Sequence, residues 1–239
     1  MEKIIYLVWR DAKQDVDTFA LQLREQLAPR LLALANVRGL QVNVADQAVA
    51  AGSGIKQTFL NPPIQALLQI WVDSAITHLR APVDALIAAN TASHAAYLVT
   101  ESRPLRNLKH PPKDGARTEG FAQIALLRKP QKLAYAEWLE VWHNSHTQIA
   151  IDTQSTFEYV QNVVVRALTA NAPPLDALVE ECFPLAALTD PYTFFAAPGD
   201  EARFKQNLQI MMDSVKRFIE MSSIDVLPTS QYRLRAAGD

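Results

Sequence analysis

Two histidines three residues apart sit in the stretch Trp138-Leu-Glu-Val-Trp142-His143-Asn-Ser-His146. An imidazole at the edge of an apolar cavity is a candidate acid, base or ligand near neutral pH. Wound as a helix, the stretch puts Trp138, Val141, Trp142, Ser145 and Ile149 on one side. At about 100° per residue, His146 falls roughly 40° from Trp142, on the flank of that stripe, and His143 roughly 140° from Trp138, towards water. His146 is therefore the expected proton-transfer group. The competing reading is a core-edge histidine bonded to a backbone carbonyl.

Other chemistries find less support. His143 and His146 could share a metal, but zinc needs a third protein ligand. His78, His94 and His110 stand alone, and Cys182 has no C-x-x-C partner. A di-iron site needs Glu-x-x-His twice, and Glu140-Val-Trp-His143 supplies it once. No metal site is expected. There is no G-x-S-x-G, Walker or G-x-G-x-x-G sequence. His146 could serve haem as an axial ligand, non-covalently, since C-x-x-C-H is missing.

The elements that must position His146 are readable from the apolar periodicity of the 239 residues. Lys3 to Trp9 reads as a buried strand, and Asp15-Val-Asp17 starts a helix whose stripe is Phe19, Leu23, Leu27 and Leu31. Strands follow at Val37–Val44 and Ala66–Val72, separated by a long loop over 46–65 that is too long for a simple connection and alternatively covers a cavity mouth. Pro82 is expected to open a short helix through Ala89, and Ala95–Thr100 gives a fourth strand. Residues 103–119 carry five Lys or Arg with several prolines and read as a solvated linker rather than an anion site.

The pattern then restarts. Strands are expected at Phe121–Leu127, Phe157–Val165, Leu178–Phe183 and from Ile224 to Leu234. The long helix from Ala134 to Thr153 carries the histidines, and a second helix, capped by Asp200, carries Phe204, Leu208, Met211, Val215 and Phe218. On the strand at 157–165, alternation puts Tyr159 and Gln161 on one face and Asn162 on the other, expected towards the helices. The order βαββαβ, met twice, is an α+β fold of two tandem ferredoxin-like halves packed sheet to sheet around a barrel-like core. The halves span 1–112 and 120–239, with 113–119 as linker. Leu23 and Leu27 lie over Trp142 and His146, so leucine stands in the first half where the second has histidine.

Hydrophobic residues make up 49% and the net charge is -2, so nothing in the bulk charge suggests nucleic acid. No apolar run approaches a membrane span, and the single cysteine allows no internal disulfide, as suits a reducing, cytoplasmic setting.

The second half resembles an EthD-type domain of the dimeric α/β-barrel superfamily. The resemblance rests on Trp142 followed four residues later by His146, on Tyr159-Val-Gln161-Asn162, and on Glu180-Glu-Cys-Phe183. It is strong from about 120 to 235. Over 1–110 it is faint, where Leu27-Ala-Pro29-Arg-Leu31 resembles the family's His-Ala-Pro-Leu with the histidine replaced. Some members carry a histidine after the Gln-Asn pair; here Val163 stands there. The resemblance implies breakdown of small organic molecules, or cofactor-free decarboxylation or dehydration of polyketide-like compounds. Monooxygenases and haem proteins are more distant relatives. The expected site is His146 and Tyr159 for catalysis, with Trp138, Trp142 and Gln161 binding a small apolar or aromatic molecule. No cofactor is expected, haem being the alternative. Without catalysis the same cavity would make a ligand carrier. Neither nucleic acid nor membrane is an expected partner, and a homodimer stays open.

Overall fold

Strict alternation along the strands decides the architecture, because each strand has one face for the helices and one for its opposite number. The computed structural model describes residues 1–237. Its strands are β1 (Glu2–Trp9), β2 (Val37–Val44), β3 (Ala66–Val72), β4 (Ser93–Leu105), β5 (Phe121–Leu127), β6 (Glu158–Ala167), β7 (Ala177–Phe183) and β8 (Asp225–Arg235). They close into one antiparallel barrel in the order β1-β3-β2-β8-β5-β7-β6-β4. Each half supplies four adjacent strands. The seams are β2–β8 and β4–β6, so each half's last strand pairs with the other half's second.

On β1, Ile4, Tyr6 and Val8 face the helices and join Phe19, Leu23, Leu27 and Leu31 in one buried cluster. The helix over 16–32 is built from α1 (Val16–Leu21), a π turn (Gln22–Leu27) and α2 (Ala28–Leu32), with Asp15 accepting from the Thr18 amide at its start. In the second half the same place is taken by α4 (Tyr135–Val141), a π turn (Trp142–His146) and α5 (Thr147–Thr153). Leu27 and His146 each end their π turn. The other helices are α3 (Thr77–Ala88), the short α6 (Pro191–Phe194) and α7 (Glu201–Phe218), whose first turn is capped by Asp200. Three expectations need correction. α3 begins at Thr77, ahead of Pro82, which lies inside the helix. β4 runs on to Leu105 because it has a full partner in β6. The loop over 46–65 contains a 3-10 helix, Gln47–Ile55.

The inward faces divide into two zones. One end is apolar, with Ile5, Leu7, Tyr97, Ile124, Leu126 and Leu178. At the other end the Glu180 carboxylate accepts from Gln41 (2.9 Å), Asn43 (2.7 Å), Gln69 (2.8 Å) and Gln231 (2.8 Å). Three of those donors belong to the first half, so one acid side chain joins the halves inside the barrel. A buried acceptor of this kind holds its donors only while present; without it, amides are left desolvated and unpaired. Glu180→Ala should lower the unfolding free energy by roughly 3–5 kcal/mol in urea titration, and Glu180→Gln by less.

Candidate active site

The polypeptide reaches the site through the π turn. An extra residue in the turn leaves the Trp142 carbonyl to accept from the Thr147 amide, and the Thr147 hydroxyl also donates to it at 2.8 Å. Such turns re-aim the residues that follow them. Here Trp142 and His146 end up doing different things, although both are buried.

Trp138 and Trp142 pack against each other, ring centroids 5.3 Å apart. The Trp138 indole donates to the Phe218 carbonyl (3.0 Å) and the Trp142 indole to the Tyr159 hydroxyl (3.3 Å). Gln161 donates to the Thr147 hydroxyl at 2.7 Å. Burial, as its largest cause, raises the Tyr159 phenol far above its ordinary range, so it stays protonated. These four side chains are brought together as a packed polar-and-aromatic wedge between β6 and the helix. None of them lines the cavity described next. Asn162 points the opposite way from Gln161 and donates weakly to the Leu178 carbonyl (3.4 Å) inside the barrel. The expectation that it faces the helices is corrected, because Gln161 already occupies that side. His143 is half-buried against the Trp142 ring at 4.8 Å, with a buried Nε2 that has no partner, rather than standing in water.

His146 does reach open space. A cavity of about 760 Å³ lies between the second half's sheet and α7, and His146 forms part of its wall. Its Nδ1 is 2.9 Å from the buried Ser214 hydroxyl of α7, and its ring packs on Phe218 with centroids 4.4 Å apart. Ser214 thus fixes the ring through one nitrogen and leaves Nε2 for a ligand. Burial pulls the imidazole down to about 4, the Arg217 guanidinium adding in the same direction. At neutral pH it is an uncharged base.

The rest of the wall is mostly apolar, from Met211, Val215, Phe194 and Val226, with a few polar groups. That is the composition of a small-molecule site. The first half contributes part of the wall, because its loop over 46–65 brings Ala51, Ser53 and Gln57 to the cavity. The loop is held there by Gln57 pairing with Val226 and by the amides of Phe59 and Leu60 donating to Asp225 at 2.8 and 2.9 Å. Gly52 permits the close fit, since a Cβ there would come within 2.5 Å of Leu188.

Sequence reasoning missed Glu181 as a site residue. It lies on β7 opposite Gln123 of β5, and both line the cavity. Glu181 is 8% exposed, and its Oε1 is buried with no hydrogen-bond partner. Burial pushes its carboxyl up to about 8, while Gln123 acts in the opposite direction. The only signal in the sequence is alternation: Glu180 and Glu181 must face opposite sides of the sheet.

Among the described residues, no three His, Cys, Asp or Glu side chains gather to hold a metal ion. The cavity wall offers haem one imidazole and no lysine or arginine for its carboxylates. That donor set fits an organic ligand better than a porphyrin. No described helix is long and apolar enough to cross a membrane.

Residues 130–222 match the EthD domain family. The sequence matches none of the curated proteins. Among solved structures, the fold is similar to an anthrone oxidase-like protein with a TM-score of 0.60 and 8% identity, covering 99% of this chain and 94% of that one. It is also similar to a dye-decolorizing peroxidase from Bacteroides thetaiotaomicron, with a TM-score of 0.51 and 8% identity, covering 97% and 93%. At such identities the likeness is one of architecture. The chain is thus an α+β protein of two ferredoxin-like halves closing one barrel, whose second half, the one that bears His146, carries an EthD-like domain.

Proposed function

We propose that the chain is a cofactor-independent enzyme that moves a proton on a small apolar or aromatic carbonyl compound, with His146 as the acid/base. The observation that carries this reading is His146 on the wall of the cavity, neutral, fixed at Nδ1 by Ser214 and free at Nε2. A base held in one orientation beside an apolar chamber is what general acid–base catalysis requires. The EthD match over this half supports an enzyme-like role. Ser214 is a positioning residue in this reading. Trp138, Trp142, Tyr159 and Gln161 hold the π turn that presents the imidazole. The two halves read as copies of one unit, of which only the second kept the histidine, the first contributing a loop to its sister's cavity.

Proton transfer can be measured before any natural substrate is known. 2-Tetralone incubated in D2O at pH 7 should gain deuterium beside its carbonyl faster than in buffer. His146→Gln should lower that rate by about 10²-fold or more. Equal rates in the two proteins, read by mass spectrometry, rule the role out.

The acid limb gives a second check. With the imidazole at about 4 when folded, the exchange rate should hold level from pH 7 to about 5 and decline below. A midpoint near 6.5 would mean a solvated ring instead. Stability follows the same linkage. The unfolded histidine, titrating near 6.5, binds its proton before the folded one does, so stability falls as pH drops from 6.5 towards 4. Relative to His146→Gln, the wild type should lose roughly 3 kcal/mol across that window in denaturant melts.

A further inference from the structure

We propose that Glu181, with the Gln123 amide beside it, is the group that holds the ligand's carbonyl oxygen, so that the cavity selects an apolar aromatic ketone over the corresponding carboxylate. This rests on the cavity reading above and specifies its substrate class.

The geometry points to a neutral acid. One Glu181 oxygen is buried and meets no donor, and no lysine or arginine lines the cavity. A carboxylate so placed would hold its charge in an apolar wall with no cation to balance it, which disfavours the ionised form. A protonated carboxyl carries no such charge and presents an O–H. Burial shifts the group in the direction that keeps this proton at neutral pH. A buried acid kept neutral is a strong donor to a carbonyl oxygen and to the enolate that develops from it. Gln123 stands directly across the β5–β7 ladder on the same face, placing a second donor next to the first.

The same wall disfavours an anion. A ligand carboxylate would find an acid side chain and no cation. The Arg217 guanidinium, whose charge acts on His146, donates to the Ser145 hydroxyl at 2.9 Å and does not line the cavity. For a bound ketone the chemistry balances without an oxidant. The C–H bond beside the carbonyl breaks and its proton goes to His146 Nε2. Its electron pair forms the C=C bond, and the carbonyl π pair moves onto the oxygen that Glu181 and Gln123 hold. Return of a proton to the same carbon completes the exchange.

Three probes of one shape separate the possibilities: 2-acetonaphthone, 2-isopropylnaphthalene and 2-naphthoate, titrated calorimetrically at pH 7. Wild type should bind the ketone ~10-fold more tightly than the hydrocarbon, as one well-placed hydrogen bond allows, and more tightly than the naphthoate. Glu181→Leu should lose the preference for ketone over hydrocarbon while still binding both, and Glu181→Gln, which keeps a donor, should retain most of it. Equal binding of ketone and hydrocarbon by wild type, or a preference that survives in Glu181→Leu, overturns the assignment. If neither the ketone nor the hydrocarbon binds wild type, the cavity reading itself fails. Wild type alone supplies a check that needs no variant. The carbonyl stretch of bound 2-acetonaphthone should move to lower frequency than in hexane, and an unshifted band refutes the contact.

Discussion

The Glu180 carboxylate, gathered by amides from both halves inside the barrel, is the constraint on which the rest of the structure depends. A closed barrel of eight strands has little interior room, and its inward positions must be filled with side chains. This chain fills one end with apolar groups and the other with a hydrogen-bonded set gathered on the Glu180 carboxylate. Lys3 and Glu101 pair at the same end. Hydrophobic contact is non-directional, whereas four amides converging on two oxygens demand a defined geometry. The polar end therefore fixes how β2 and β3 of one half stand against β7 and β8 of the other.

Locking the interior determines what the outer faces can do. Because side chains alternate, the residue after Glu180 must face the helices. Glu180 is satisfied and structural; Glu181 is unsatisfied and lines the cavity. Two adjacent carboxyls on one strand thus have opposite environments and opposite consequences. Cys182 returns to the interior, where its thiol donates to Glu158 at 3.2 Å and burial keeps it protonated. The chemistry of β7 is set residue by residue by the pleat.

Much of this was legible in the sequence, and for identifiable reasons. The strands show as apolar or alternating runs because each must bury at least one face. Asp15 and Asp200 announce helix starts because their side chains accept from Thr18 and Arg203. His146 stands out because an imidazole interrupts a tryptophan stripe. The π turns were hidden, since one inserted residue leaves the apolar spacing on either side intact. That is why a regular helical wheel places His143 in water and groups Trp142 with the ligand wall. Glu181 was hidden for a different reason. Its isolation is a property of the chamber around it, built from β5, α7 and a loop more than a hundred residues away in sequence.

The contrast between the halves then has a local cause. At the end of the first π turn Leu27 is fully buried among Phe19, Leu23 and Leu31, and the space between helix and sheet is filled with hydrocarbon. At the end of the second, His146 turns to α7 for a hydroxyl partner, and a chamber opens beside it. A leucine there would gain packing but give Ser214 nothing to bond. An imidazole gives up some packing, keeps Ser214 satisfied, and leaves one nitrogen facing the void. The long loop of the first half lines that void because Asp225, at the start of β8, offers acceptors to two of its amides and to Arg128. One half thus supplies the imidazole and most of the chamber and the other a loop that lines it, a division that a single chain can maintain because both are fixed to the same closed sheet.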